Sequence, residues 1–281
     1  MTWYPPVTAR MRACPFVRAS GLVRARPFAL TLALALAPVA LALSGCATSD
    51  TRSLAPASSG DQMRLAQLRY DRREYTEAIE LLKGYIQYQP GASDVGAAHH
   101  LLGMCYVARR EWPLATGEFL IVTSDFTDSP QLGDSHYWLG YSYWKQARPA
   151  PYDQDFTRRS ISQWDRFLAL FPDHPRAAEA RDYRAQGRAR LAEKSVKNGE
   201  LYLKLKQWSP AAVYFLEVER DFPDTPWIDR AQVGHAESLR QQGKFDEARR
   251  LLEPALDGMA DPDQRRRAEE LLRKLPPSNV P

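Results

Sequence analysis

Cysteine is scarce in this chain, with three in 281 residues. Cys14 lies in an N-terminal segment that we expect to be removed, and Cys46 has a separate role described below. Cys105 then has no partner within the mature chain, which excludes a disulfide framework. We interpret Cys105 as a small, buried apolar residue on a helix.

Motifs for catalysis and cofactor binding are missing as well. The chain has no nucleophile motif, phosphate-binding loop, dinucleotide fingerprint or zinc-ligand spacing. The adjacent His99 and His100 would point about 100° apart on a helix, and the other three histidines are isolated. We therefore predict a protein that is not an enzyme and that binds no cofactor or metal.

Acidic residues are absent from the first 45 positions, which carry five arginines. Of the 38 basic residues, 33 remain beyond this segment, against 34 acidic residues. The basic balance of the whole chain therefore belongs to its N-terminus. Nucleic-acid binding needs a basic patch on the folded domain, and this distribution gives no indication of one.

Long apolar runs are also lacking. The one uncharged, mainly apolar run covers residues 28–43, shorter than the roughly 20 residues of a membrane-spanning helix. Arginines precede it and small residues follow it, which is the order of a secretory signal peptide. The true start of the chain is Met1 or Met11.

Residues 43–46 (LSGC) resemble the lipobox of bacterial lipoproteins. The resemblance implies a signal peptide over residues 1–45, cleavage before Cys46, and acylation of its sulfur and new amine. More than one acyl chain makes membrane anchoring stable. Ala47 favours the outer membrane by the sorting rule of enterobacteria. The alternative is an ordinary signal peptide, or an uncleaved anchor, with a chance cysteine.

An internal repeat runs through the rest of the chain. In four stretches an aromatic residue is followed by alanine three positions later, and a small residue stands twelve positions before that alanine. The aromatic–alanine pairs are Tyr75/Ala78, Trp112/Ala115, Trp208/Ala211 and Phe245/Ala248, and the small residues are Ala66, Gly103, Gly199 and Ala236. This pattern resembles the tetratricopeptide repeat, a pair of antiparallel helices of about 34 residues.

The joints between repeats are marked by a second recurrence, at residues 126–130 (FTDSP), 171–175 (FPDHP) and 222–226 (FPDTP). Proline cannot continue the preceding helix. We predict that Ser129 and Thr225 cap the next helix, with proline at its first position. We also interpret five tryptophans as packing between helices; they are Trp112, Trp138, Trp144, Trp164 and Trp208.

These patterns predict an all-α fold, a tetratricopeptide-repeat superhelix of about five helix pairs. We place the repeats at about 61–90, 95–128, 132–173, 192–224 and 228–258, the third having a loop about eight residues longer. Residues 46–60 are expected to be the lipidated cysteine and a flexible tether. The repeat domain covers 61–275 and includes a capping helix over 263–275, and residues 276–281 form a disordered tail.

A lipobox followed by five such repeats resembles the BamD family of outer-membrane-protein assembly lipoproteins. The closest stretch covers residues 190–226 and contains GELYLK at 199–204, WSPAA at 208–212 and DFPDTP at 221–226. The resemblance implies anchoring to the outer membrane, facing the periplasm. The C-terminal repeats would dock on a BamA-like β-barrel protein, alongside other assembly lipoproteins. The groove of repeats one to three would accept segments of unfolded outer membrane proteins.

One departure concerns the docking residues. Where the family commonly carries an arginine in the second helix of repeat four, this chain has Tyr214. Lys204 and Lys206 would supply charge nearby, and Trp227 follows a joint where it would be partly exposed. The candidate partner-binding residues are therefore Lys204, Lys206, Tyr214 and Trp227.

Two other classes of function stay open. One is a repeat scaffold for pilus biogenesis of the PilF type, or for envelope and division coordination of the YbgF type. The YbgF-type proteins usually lack a lipobox and carry a coiled coil, and the PilF-type proteins have more regular repeats. The other is an envelope enzyme or peptidoglycan-binding module, which no motif supports.

Overall fold

The computed structural model describes residues 59–277. This part of the chain is all-helical and contains no strand, as predicted. The predicted signal peptide, Cys46 and nearly all of the predicted tether lie outside the described residues, as do residues 278–281 of the predicted tail.

Eleven α-helices make up the described residues. They are α1 (Ser59–Asp71), α2 (Tyr75–Tyr88), α3 (Val95–Ala108), α4 (Trp112–Asp125), α5 (Leu132–Gln146), α6 (Asp155–Leu170), α7 (Ala177–Lys204), α8 (Trp208–Asp221), α9 (Ile228–Gln241), α10 (Phe245–Ala255) and α11 (Pro262–Lys274). A 3-10 turn (Leu256–Gly258) precedes α11. Helices contact mainly their neighbours in sequence, so five helix pairs are stacked and α11 closes the end. The predicted five pairs are confirmed.

The two helices of each pair are fitted together by one small and one large residue. In repeats two to four the first helix contributes Gly103, Gly140 and Gly199, and the second contributes Phe119, Trp164 and Phe215. A Cβ atom on Gly103 would lie 2.7 Å from Phe119 Cε1, and one on Gly199 would lie 2.7 Å from Phe215 Cζ. All three rings are fully buried. Each aromatic ring therefore packs directly on the backbone of the partner helix.

Four of the five first helices end in the same backbone turn. Arg73, Arg110, Lys206 and Gly243 have positive φ angles between 58° and 77°. Around Lys206, the Lys206 N–H donates to Leu203 O (3.0 Å) and the Gln207 N–H donates to Tyr202 O (2.9 Å). This pair of bonds is the Schellman motif, which needs a left-handed residue. The aromatic residue that begins the second helix follows two positions later.

The third repeat has a longer turn, held by one buried side chain. Gln154 Nε2 donates to the carbonyls of Pro149 (2.8 Å) and Tyr152 (3.1 Å), and Gln154 Oε1 accepts from Thr157 Oγ1 (2.7 Å). Gln154 is 1% exposed. Its carboxamide thus replaces the backbone bonds of the shorter turns.

The prediction that Ser129 and Thr225 cap the next helices is wrong. The helices begin at Leu132 and Ile228, and no side-chain capping bond is present at either. Thr225 Oγ1 donates instead to Phe222 O (2.8 Å). The residue before a proline is disfavoured in the helical region, so the chain makes a further turn before each helix starts.

Buried polar groups lie inside the second and third repeats. Burial lowers the pKa of His100 to about 4 against an opposing effect of Asp134, and burial followed by the charge of Arg166 lowers the pKa of His136 to about 4. His136 Nδ1 lies 2.5 Å from Gln163 Nε2, which donates to it. Both imidazoles are therefore neutral near pH 7. Cys105 is fully buried as predicted, and burial raises the pKa of its thiol to about 12.

Within residues 59–277, none of the helices combines the length and the apolar character needed to cross a bilayer. The longest, α7, has 28 residues but carries charged side chains along its length.

Replacing Gly103 with alanine is expected to destabilise the fold by about 1–3 kcal/mol, because the new methyl group would overlap the Phe119 ring. Gly117 is the matched control, since it lies within α4 and has nothing within 4 Å of a built Cβ. Gly117→Ala should stabilise the protein by about 0.5–1 kcal/mol. Urea unfolding followed by circular dichroism measures both, and equal effects would contradict the fitted pair.

Acidification should destabilise the protein through His100 and His136. Their pKa values are lower in the folded chain than the ordinary 6.5, so the unfolded chain binds protons more strongly. The contribution of the two neutral histidines to the free energy of unfolding is fully present above about pH 6.5. It falls toward pH 4, by on the order of 1–3 kcal/mol for each histidine. Urea unfolding at about pH 7 and about pH 4.5 should show a smaller loss for the His100→Gln/His136→Gln variant. If the variant lost as much stability as the wild-type protein between these pH values, His100 and His136 would be excluded as the cause.

Candidate partner-binding surfaces

A row of aromatic rings crosses repeats two to four. Trp112 at the start of α4 contacts Tyr141 of α5, with ring centroids 5.9 Å apart. Tyr141 contacts Trp138 (5.3 Å) and Tyr183 of α7 (5.5 Å). We call Trp112, Trp138, Tyr141 and Tyr183 the aromatic surface. All four side chains are partly exposed, so packing between helices uses only part of each ring.

Two basic side chains lie over these rings, and a third lies over the neighbouring Trp144. Lys145 Nζ is 5.1 Å from the centroid of Tyr141, and Arg176 Cζ is 4.9 Å from that of Trp138. Arg190 Cζ is 3.8 Å from the centroid of Trp144, and burial there lowers the pKa of Arg190. Cation–π contacts of this kind hold long side chains in place on a surface.

A depression of about 420 Å³ opens at one end of the aromatic surface. Its lining combines three rings, two small apolar residues and two cations, and it contains no acidic residue; the residues are Val107, Ala108, Arg110, Trp112, Trp138, Tyr141 and Lys145. Partly exposed rings beside cations that have no ion pair within residues 59–277 suit an extended chain with apolar or aromatic side chains and some negative charge.

Three of the five tryptophans predicted to pack between helices divide into two groups. Trp164 is fully buried and packs as predicted. Trp112 and Trp138 pack against neighbouring rings but also line the depression. Tyr141, Lys145 and Arg176 were not predicted from the sequence as partner-binding residues. A signal was present in the near-continuous aromatic run HYWLGYSYW at residues 136–144.

Tyr214 lies against the last turn of α7. Its ring stacks on Tyr202, with centroids 5.3 Å apart and planes at 15°. Burial, followed by the neighbouring Tyr202, raises the pKa of Tyr214. Lys204 and Lys206 lie at the same end of this helix pair and are exposed.

Two large apolar side chains of α8 are exposed. Val213 is 66% exposed and Leu216 is 50% exposed. With Lys204, Lys206 and Tyr214 they form what we call the repeat-four surface. An exposed apolar face with basic neighbours is typical of a surface that binds another protein.

Trp227 lies apart from the other three candidate residues. It precedes α9, at the far end of α8 from Lys206, and a 14-residue helix is about 21 Å long. Its ring packs on the core of repeat four, and Arg230 Cζ is 5.7 Å from the ring centroid. The structure thus places Lys204, Lys206 and Tyr214 at one end and Trp227 at the other. Cys46 lies outside the described residues.

Across residues 59–277, no group of His, Cys, Asp or Glu side chains is arranged to hold a metal ion. Two histidines contact acidic residues on neighbouring helices. His99 Nδ1 lies 2.7 Å from Glu118, and His235 Nδ1 lies 3.0 Å from Glu219, each joining two adjacent helices.

A family model described as an outer membrane lipoprotein family, YfiO, matches residues 52–252. The chain is similar in fold to TTC0263, a tetratricopeptide-repeat protein of Thermus thermophilus, with 18% identity over 77% of this chain and 100% of that chain, and a TM-score of 0.33. A tetratricopeptide-repeat protein of Parabacteroides merdae is 18% identical over 77% of this chain and 74% of that chain, with a TM-score of 0.35. The P58(IPK) repeat domain is 17% identical over 76% of this chain and 56% of that chain, with a TM-score of 0.40. No curated protein gave a significant match.

Proposed function

The chain belongs to the YfiO family of outer membrane lipoproteins, the family of BamD, and from this membership we propose that it is a lipid-anchored scaffold of outer-membrane β-barrel assembly. The scaffold would dock a BamA-like barrel protein and present segments of unfolded outer membrane proteins to it. The observation that carries the proposal is the family match over nearly all of the repeats. The two exposed surfaces described above supply the places for the two partners.

The anchor in this proposal is Cys46. Removal of residues 1–45 and acylation of Cys46 would hold the repeats at the periplasmic face of the outer membrane. Residues 47–58 would then connect the lipid to α1. This short connection would keep the repeats close to the bilayer in which the barrel partner is embedded.

The repeat-four surface is our candidate for docking the barrel protein. Val213 and Leu216 are exposed where the chain has no structural need for apolar residues. Tyr214, which replaces the family's arginine, is held against Tyr202 rather than extended into solvent. We therefore infer that docking depends more on apolar contact here than on an ion pair, with Lys204 and Lys206 at the rim.

The aromatic surface is our candidate for the unfolded segment. Strands of β-barrel proteins alternate apolar and polar side chains, so an extended strand would place its apolar side chains on one face. The rings of Trp112, Trp138 and Tyr141 would receive that face, and Arg110 and Lys145 would pair with acidic residues. Such a scaffold acts by bringing two chains together and needs no catalytic group.

Crosslinking in cells, followed by purification of the lipidated protein and mass spectrometry, tests the proposal. We expect recovery of a BamA-type barrel protein in near-equal amount. Recovery of pilus or division proteins with no barrel protein would contradict the assembly role.

Leu216→Asp should reduce recovery of the barrel protein by about tenfold or more, because a carboxylate in an apolar interface is desolvated without a partner. Leu120→Asp is the matched control, since Leu120 holds the same position in α4 and is 49% exposed. Both variants should keep the wild-type melting temperature, because both sites are on the surface. Equal recovery of the barrel protein with the two variants would exclude the repeat-four surface as its docking site.

Trp112→Ala should weaken binding of an unfolded strand by about tenfold, from lost ring contacts. Trp208 begins α8 as Trp112 begins α4 but does not line the depression, so Trp208→Ala should bind normally. The probe is a fluorescein-labelled peptide of alternating aromatic and polar residues, measured by fluorescence anisotropy. Equal weakening by both substitutions would point to a general loss of fold instead.

A further inference from the structure

A second groove lies at the C-terminal end of the repeats. It has a volume of about 360 Å³ and is lined by α7, α8, α9 and α11. Leu203, Phe215, Val233 and Leu271 make its floor apolar. Gly234 also lines the floor, and a Cβ there would overlap the tip of the Phe215 ring. We call this the C-terminal groove; its volume is near the lower end of ligand pockets, which span roughly 300–1,000 Å³.

The acidic residues on the rim of the C-terminal groove are already paired. Glu200 accepts from Arg230 Nε, Glu237 accepts from Arg240 through two bonds (2.7 and 2.8 Å), and Glu270 accepts from Lys274 (2.6 Å). Arg267 lines the same rim, and its side chain has no ion pair or hydrogen bond within the described part of the chain. The rim therefore presents one uncompensated guanidinium group.

An unsatisfied polar side chain lies beside Arg267. Gln264 is 6% exposed and lines the groove, and its carboxamide oxygen has no hydrogen-bond partner among residues 59–277. Buried acceptors are normally bonded, because leaving one unpaired costs about 1–3 kcal/mol. Gln264 and Arg267 are three residues apart, on one face of α11. The terminal torsion of glutamine is broad, so the oxygen can turn toward a donor in the groove.

We propose that the C-terminal groove binds an extended segment of a partner protein in which an apolar side chain is followed by an acidic one. The apolar side chain lies on the floor, a backbone N–H of the segment donates to Gln264 Oε1, and the carboxylate pairs with Arg267. A protein segment fits this lining, because its backbone carries an N–H donor at each residue, between the apolar side chain for the floor and the acidic side chain for Arg267. This site shares no residue with either surface in the proposed function.

Fluorescence anisotropy with the lipidated full chain in detergent micelles tests the proposal. The probe is a short acetylated, fluorescein-labelled peptide with two leucines and two aspartates in a serine–glycine background. We expect it to bind, and Arg267→Ala and Gln264→Leu each to weaken binding by about fivefold to tenfold. Gln264→Leu should not lower the melting temperature, because it removes an unpaired buried oxygen. Arg266→Ala is the matched control on the same helix, since Arg266 pairs with Asp263 and does not line the groove.

Two further probes identify the chemistry that is recognised. A peptide with lysine in place of aspartate, and one with serine in place of leucine, should each bind at least fivefold more weakly. Equal binding of the lysine peptide, or unchanged binding by Arg267→Ala and Gln264→Leu, would overturn the proposal. Arg267-dependent binding to phosphatidylglycerol vesicles without peptide binding would also overturn it, in favour of a lipid contact. Leu216→Asp and Trp112→Ala should leave peptide binding unchanged, which separates this result from a failure of the proposed function.

Discussion

A large side chain from the second helix of each repeat packs against a small residue of the first, and the two sizes vary together. Gly103, Gly140 and Gly199 contact aromatic rings, whereas Ala66 and Ala236 stand in repeats whose equivalent large residues are Leu82 and Leu252. In every pair except the third the two residues are sixteen positions apart, and the third has eight more because of its longer turn. Interiors packed as densely as crystals tolerate little mismatch, so each pair fixes how closely its two helices approach.

This spacing determines which side chains remain exposed. The inner faces of a helix pair form the contact between the small and the large residue. Residues on the outward face of α8 do not take part in this contact, so Val213 and Leu216 can be apolar and exposed. On α5 the same constraint commits Gly140 and buries Ser135 and His136, which leaves Trp138 and Tyr141 at the edge of the core. The exposed surfaces thus consist of side chains that do not take part in the packing between the two helices of a pair.

The repeats were predictable because their signal is local and recurs: an aromatic residue, an alanine three positions later and a small residue twelve before. The helix ends were less so. Lys206 and Arg110 occupy left-handed positions that usually favour glycine, and only Gly243 has the expected residue type. Ser129 and Thr225 were misassigned because a Ser-Pro or Thr-Pro pair suits both a helix cap and a turn. The aromatic surface depends on contacts between α4, α5 and α7, which no spacing along the chain reveals.

The placement of the surfaces bears on how a scaffold of this kind would work. The aromatic surface is built mainly from first helices, α5 and α7, whereas Val213 and Leu216 lie on the outward face of a second helix, α8. Since the two helices of a pair are locked by the small–large contact, neither surface has to be remodelled for the other to be occupied. A partner on α8 and an extended segment on α5 would then bind at the same time. Their separation would be fixed by the glycine–aromatic contact within each pair and by the packing of α6 on α7, where Trp164 stacks on Tyr183. In the proposed function, the rigidity that burial gives to these pairs would let the scaffold assist assembly by holding two partners in proximity.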